Sequence, residues 1–250
     1  MIFKTESRNF IRFILPFFWT FVVINLIERL AFTQYEILRG NIDLLQCSCV
    51  LGKFRSVFDI LLPFFIGFIS DSLVFSYILV LLAICFLLLD QNKSRIAVWE
   101  ALLFFIYTFI LIFTAVAEWF FWNEFGVRFN FIAVDYLIYS KEVIGNIRES
   151  YPINLILVII GIFSVFSAFL YKIYRDKRQY LVGMRLKYKA FIVVLALALS
   201  IITFGFVDRL NFNFSHNKCS SEIAKNGIYQ FFSAYRNNEL PFDEFYITKP

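Results

Sequence analysis

Residues 118–152, EWFFWNEFGVRFNFIAVDYLIYSKEVIGNIRESYP, hold the side chains whose types and spacing could do chemistry. Arg128 stands among aromatic residues, and a guanidinium offers a planar donor fork that fits a phosphate. Asn130, Asp135 and Asn146 could hydrogen-bond the hydroxyls of a lipid headgroup, so the stretch is a candidate lipid-headgroup site. A plainer arrangement uses the same residues. Glu124 lies four positions before Arg128, one helical turn, and can pair with it. Asn130, Asp135 and Asn146 can equally cap short helices. Both arrangements stay open at this level. Trp119 and Trp122 read as interfacial anchors, because an amphipathic ring suits the headgroup level.

Reactive groups are sparse elsewhere. Cys47 and Cys49 form a C-x-C with no second pair and no neighbouring His, a pattern that fits two small residues near an interface better than a metal site. His216 is the single histidine, which excludes a His-based metal cage within these residues. No Thr stands among several Asp, Glu and His residues, and Thr248 has no base or ligand beside it. Neither a catalytic residue nor a metal ligand is therefore expected in this chain.

The elements that must position Arg128 and its neighbours are set by hydrophobicity. Of 250 residues, 60% are hydrophobic, 21% aromatic and 17% charged, with 35 Phe and 9 Gly. Soluble domains run nearer about 45–50% apolar and about 25% charged, so the class is an all-α integral membrane protein. The net charge of +5 comes from basic residues sorted along the chain and not gathered in one patch, so no nucleic-acid partner is expected. Apolar windows fall at 10–30, 57–89, 98–120, 153–173 and 189–207. Lys4 and Arg8 precede the first and Arg12 lies at its start, and no small-residue cleavage site follows it, so it reads as a retained anchor.

The loop 172–189 carries Lys172, Arg175, Lys177, Arg178, Arg185, Lys187 and Lys189 against Asp176, which predicts a cytoplasmic loop. Residues 118–152 and 208–250 are then extracytoplasmic. The window 57–89 is too long for one crossing of a roughly 30 Å core. Gly67, Ser70, Asp71 and Ser72 offer a hairpin break there, although a hairpin would put the basic amino terminus outside. About five transmembrane helices are expected, six being the alternative. Segment 118–152 is expected to lie on the bilayer as short amphipathic helices broken at Gly126 and Gly145. Glu28, Arg29 and Asp59 stand near helix ends, where an interfacial ion pair suffices unless they serve a substrate. The tail has an apolar helical pattern in Ile223, Ala224, Ile228, Phe231, Phe232 and Tyr235, interrupted by Asn226-Gly227. Such a face needs something to pack against.

The stretch FWNEFGVRFNFIAVDYLIYSKEVIGNIRESYP resembles the corresponding part of lipoteichoic-acid-synthase-like phosphoglycerol transferases, membrane-anchored enzymes of the sulfatase and alkaline phosphatase superfamily. EIAKNGIYQFFSAYRNNELPFDEFY resembles their link to the catalytic domain, and GKFRSVFDI is similar to a Gly-…-Arg-Phe-Asp element before the second helix. The resemblance implies a transmembrane domain over 1–210 and an extracytoplasmic linker over 211–250, in a bacterial inner membrane. It implies a catalytic domain beyond them with a Thr nucleophile and a divalent metal, commonly manganese. That domain would move glycerol phosphate from phosphatidylglycerol to a polymer or glycan; phosphoethanolamine transferases share the plan. The chain stops at Pro250, so alone it is expected to be inactive and to work with a catalytic domain, one encoded separately included. The rival is a polytopic transport or regulatory subunit. Transport would need polar residues at mid-helix, whereas 98–120, 153–173 and 189–207 read as Phe, Leu, Ile, Val and Ala with scattered Ser and Thr.

Overall fold

The computed structural model describes residues 2–40, 50–88, 93–138, 145, 147–176, 186–207 and 218–237. Cys47, Cys49, Asn146, His216, Thr248 and the side chain of Asp59 lie outside the described residues. The helices are α1 (Ile2–Leu38), α2 (Val50–Leu88), α3 (Lys93–Phe125), α4 (Phe131–Ile138), α5 (Ile153–Asp176), α6 (Leu186–Val207), α7 (Lys218–Ala224) and α8 (Gly227–Arg236). No strand occurs among the described residues.

Among the described residues five helices are long and apolar enough to cross a membrane: Phe10–Leu38, Ile60–Leu88, Ile96–Phe125, Ile153–Asp176 and Leu186–Gly205. The protein is an all-α membrane protein with five such helices among the described residues. The hairpin break considered at Gly67–Ser72 does not form; α2 runs straight through it. In lipid an uninterrupted helix satisfies every backbone group within the segment, which a turn at that depth would not. The polar residues there are met locally or by a neighbour. Ser72 Oγ donates to Phe68 O at 2.8 Å, and Asp71 pairs with Arg29 of α1.

The interior is aromatic. Phe13, Phe17 and Phe21, each four residues apart, form one stripe of α1 and meet Phe75 and Phe86 of α2, Phe104 and Tyr107 of α3 and Tyr171 of α5. Phe17 lies 5.0 Å from Phe104 and 5.1 Å from Tyr107, centroid to centroid, and Phe104 stacks on Tyr171 at 4.5 Å. Hydrophobicity alone does not drive helices together in lipid, so tight ring packing and interhelical hydrogen bonds must do it. Tyr107 Oη accordingly donates to Phe17 O at 2.9 Å. Ser200 Oγ donates to Ser76 O at 2.8 Å, and the Ser76 and Thr203 hydroxyls lie 2.7 Å apart between α2 and α6. Ser167 reaches Thr108 at 3.1 Å, and Arg175 Nε donates to Glu100 at 2.9 Å, between α3 and α5.

These pairs set heights. Helices α5 and α6 have 24 and 22 residues. At 1.5 Å per residue they measure about 36 and 33 Å, one bilayer core with little excess. Helices α1 and α2 have 37 and 39 residues and project further. Because α2 and α6 run antiparallel with Ser76 opposite Thr203, Asp71 stands level with the last turn of α6. Likewise Thr108 opposite Ser167 and Glu100 opposite Arg175 put Trp122 near the start of α5 and Glu118 one turn deeper. This end of the bundle, away from the 172–189 loop, is the rim on which α7 and α8 rest.

Candidate functional site

The upper half of α1 carries Asn25, Glu28, Arg29, Phe32 and Glu36, spaced i, i+3, i+4, i+7 and i+11 on one stripe. All five are buried. The stripe that is Phe lower down becomes polar at the rim, and polar groups removed from water need partners. They find them on four other elements.

Arg29 grips Asp71 of α2 with both terminal nitrogens, Nη2 to Oδ1 at 2.8 Å and Nη1 to Oδ2. Its Nε donates to Ile223 O at 3.2 Å, and Nη2 reaches Lys225 O at 3.5 Å. Gly67, one turn from Asp71 on α2, leaves room for this side chain; a Cβ there would overlap the guanidinium. Arg128, in the turn after α3, is wholly enclosed. Its Nη1 lies 3.0 Å from Glu28 and 3.0 Å from Glu118, and Nη2 donates to the same Ile223 O at 3.2 Å. Its guanidinium sits 4.7 Å over the Phe32 ring. Burial alone would lower the Arg128 pKa, but the two carboxylates outweigh it and hold the proton more firmly than usual.

Asn226 joins the two halves. Its Nδ2 donates to Asn25 at 3.1 Å and to Asp71 at 2.7 Å, while its Oδ1 caps α8 by accepting from Tyr229 N at 3.1 Å. Further out, Trp122 Nε1 donates to Glu36 at 2.8 Å and its ring stacks on Phe32 at 4.3 Å. Cys219 lies 3.8 Å from the other Glu36 oxygen; burial pushes its thiol pKa up, and Glu36 adds to that.

The break between α7 and α8 has an electrostatic sense. A helix carries partial negative charge at its carboxyl end and partial positive charge at its amino end. The carboxyl end of α7 presents Ile223 O and Lys225 O to Arg29 and Arg128. The amino end of α8 meets Glu118 so closely that a Cβ on Gly227 would overlap the carboxylate. Each helix end faces the charge that suits it.

The sequence-predicted residues fall as follows. Arg128 is buried at the centre of the network, paired with Glu28 and Glu118; Glu124, its expected neighbour, is exposed. Asn130 caps α4, its Oδ1 accepting from Ile132 N at 2.9 Å and its carbonyl from Ala133 N at 3.0 Å. Asp135 sits part-buried on α4. Trp122 is completely enclosed and not at a wet surface, because its N–H has Glu36 as a partner. Trp119 is half-buried, stacked parallel to Phe32 at 5.8 Å.

The amphipathic segment expected from residue 118 begins later. Residues 118–125 complete α3, which ends at Gly126 with φ +67, the left-handed position at which helices stop on glycine. Glu28 and Arg29 are not an exposed interfacial pair; each is buried against a different partner. Asn25, Glu36 and Glu118 were not singled out by sequence, and Asp71 and Asn226 were read only as breaks. The α1 spacing was the available signal for Asn25 and Glu36. For Asp71 the signal was a charge inside an apolar window; for Glu118 and Asn226 there was none, since their partners are distant in the chain.

In sum three carboxylates, Glu28, Asp71 and Glu118, surround two guanidiniums, Arg29 and Arg128, and a fourth, Glu36, holds Trp122 beside them. The arrangement clamps α7 and α8 to the rim. No group of three or more His, Cys, Asp or Glu among the described residues is disposed to hold a metal ion. The chain has no match among protein-family models, curated proteins or solved structures.

Proposed function

We propose that this chain is the membrane domain of a lipoteichoic-acid-synthase-like phosphoglycerol transferase, and that it acts as a mount. It anchors the polypeptide in a bacterial inner membrane, with the basic loop cytoplasmic and the rim outside. There it holds whatever follows residue 237 at a fixed height beside the lipid donor, phosphatidylglycerol. A catalytic sulfatase-type domain, continuous with this chain or separately encoded, would supply the Thr nucleophile and the manganese-type metal.

The observation that carries this reading is the clamp on α7 and α8. Two buried arginines, a buried Asp and a buried Asn converge on the break at Lys225-Asn226. A flexible tether would need none of them, because ordering side chains and desolvating charge are both costly. Fixing the exit of the chain makes sense when the next domain must meet a substrate at a set distance from the lipid surface.

The test joins this chain to the sulfatase-type domain encoded beyond the Pro250 codon or next to it. The joined protein, in vesicles of labelled phosphatidylglycerol and a glycolipid acceptor with manganese, is expected to release diacylglycerol as glycerol phosphate passes to the acceptor hydroxyl. Separating the two parts by a long flexible linker after residue 237 should slow release. If no such domain is encoded there, or if the joined protein leaves phosphatidylglycerol intact, the reading fails.

A further inference from the structure

Three contacts fix the height of α8 against the spans. At its amino end Tyr229 stacks on Tyr77 of α2, ring centroids 6.4 Å apart. Tyr77 follows Ser76, whose hydroxyl meets Thr203 of α6. At its carboxyl end the Arg236 guanidinium sits 4.7 Å over the ring of Phe204, also on α6. Both ends of α8 are thus level with 203–204, inside the apolar span Leu186–Gly205. Ile228 gives a matching depth on the opposite flank. It packs on the aromatic core and lines a small cavity with Leu111 and Thr114 of α3. Thr108 meets Ser167 of the antiparallel α5, so Thr114, six residues on, is level with about residue 161. That is about two turns inside the start of α5 at Ile153. Helix α8 therefore lies across the bundle, about one to two turns below the ends of α5 and α6, and not above them.

The apolar residues Ile228, Phe231, Phe232 and Tyr235 recur at i, i+3, i+4 and i+7, a single stripe of α8. Ile228 packs on the core, and Phe231 meets Phe129 at 5.9 Å. Beyond them the stripe leaves the protein: Phe232 and Tyr235 are 63% and 65% exposed. Ile201, Ile202 and Phe204 of α6 are exposed at the same height, and Arg236 on Phe204 joins the two surfaces. An exposed apolar patch calls for a partner, and its depth says which. Beside a span the surroundings are lipid, which a soluble protein would have to displace to reach this face. We infer that α8 is an interfacial helix set into the leaflet away from the 172–189 loop, with Phe232 and Tyr235 among phospholipid acyl chains. Tyr and Arg keep an apolar body in lipid and a polar end at the headgroups, and Tyr235 and Arg236 close the helix. This placement follows from the spans alone and holds whether or not the chain serves a transferase.

The test is the surroundings of single nitroxide labels on the full chain, in nanodiscs of phosphatidylethanolamine and phosphatidylglycerol, with the four native cysteines replaced by Ser. Phe232→Cys and Tyr235→Cys carry the label in turn, and Tyr235→Cys stands in should Phe232→Cys fail to fold. Ile202→Cys, exposed on a span, and Glu149→Cys, exposed outside the spans, are the references. Label relaxation is read with oxygen, which enters hydrocarbon freely, and with a water-soluble nickel complex, which hydrocarbon excludes. The oxygen-to-nickel ratio at 232 and 235 should match that at 202. It should exceed that at 149 by about tenfold or more, since a polar complex is costly to move into lipid. Ratios at 232 and 235 like that at 149 would mean that α8 stands in water. Poor access of both reagents would mean that protein covers the face, a second copy included. Either result overturns the inference. The readout involves no phosphatidylglycerol turnover, so its outcome is separate from that of the proposed role.

Discussion

At the residue scale the network turns on Arg29 and Asp71, a bidentate pair with both side chains almost fully buried. Replacing a buried ion pair by apolar groups of similar size is often tolerated, whereas removing one partner strands the other. Arg29→Met should therefore destabilise the chain by about 3–5 kcal/mol. Arg29→Met with Asp71→Leu should recover much of that loss, which thermal unfolding in detergent would reveal. A double variant no better than the single one would mean that the two groups do not act as a pair. Cys219 gives a second check on the same network. With its thiol pKa raised by burial and by Glu36, less thiolate is present near neutral pH than in an ordinary cysteine. In a variant keeping Cys219 alone, maleimide labelling should rise only at higher pH than for a free cysteine peptide. Glu36→Gln should shift that rise back down.

Among the elements, α7 and α8 are the ones that depend on the rest. Gly227 sits against Glu118 with no room for a methyl group. Overpacking of this kind costs about 1–3 kcal/mol, and here the cost falls on docking and not on α8 itself. Gly227→Ala should therefore leave the helical circular dichroism of the bundle unchanged while speeding hydrogen exchange over 218–236 and exposing it to protease. Unchanged exchange in that variant would mean that α8 does not dock as described. The same contrast explains what could be read from the sequence. The spans of α3, α5 and α6 were legible because lipid demands long apolar runs flanked by particular charges. Helix α2 was legible as apolar but not as continuous: Asp71 looks like a break until Arg29 is placed beside it. The docking of α7 and α8 was illegible because it rests on pairs such as Asn226 with Asn25, 201 residues apart. Arg128 was legible as an important residue, yet its partners are Glu28 and Glu118 rather than the adjacent Glu124, since α3 runs one turn further than its apolar window suggests.

Across the whole molecule, the five long helices and the rim impose one arrangement of sides. Five crossings would put Lys4, Arg8 and Arg12 on one side with the basic 172–189 loop, and 39–40, 147–152 and 218–237 on the other. The proposed role takes the basic side as cytoplasmic, on the charge bias of the loops. The buried network adds an independent constraint, because α7 reaches Arg29 and Arg128 only if both lie at the same rim. Single cysteines placed at Glu149, Lys172 and Asn237, all exposed, convert this into a measurement. A membrane-impermeant maleimide on intact cells should label Glu149→Cys and Asn237→Cys, and should label Lys172→Cys only after permeabilisation. Labelling of Glu149→Cys and Lys172→Cys from the same side would rule out α5 as a span. Labelling of Lys172→Cys alone would invert the topology and place the arginine clamp and the exit of the chain in the cytoplasm. That result would remove the outer-leaflet donor on which the proposed role depends.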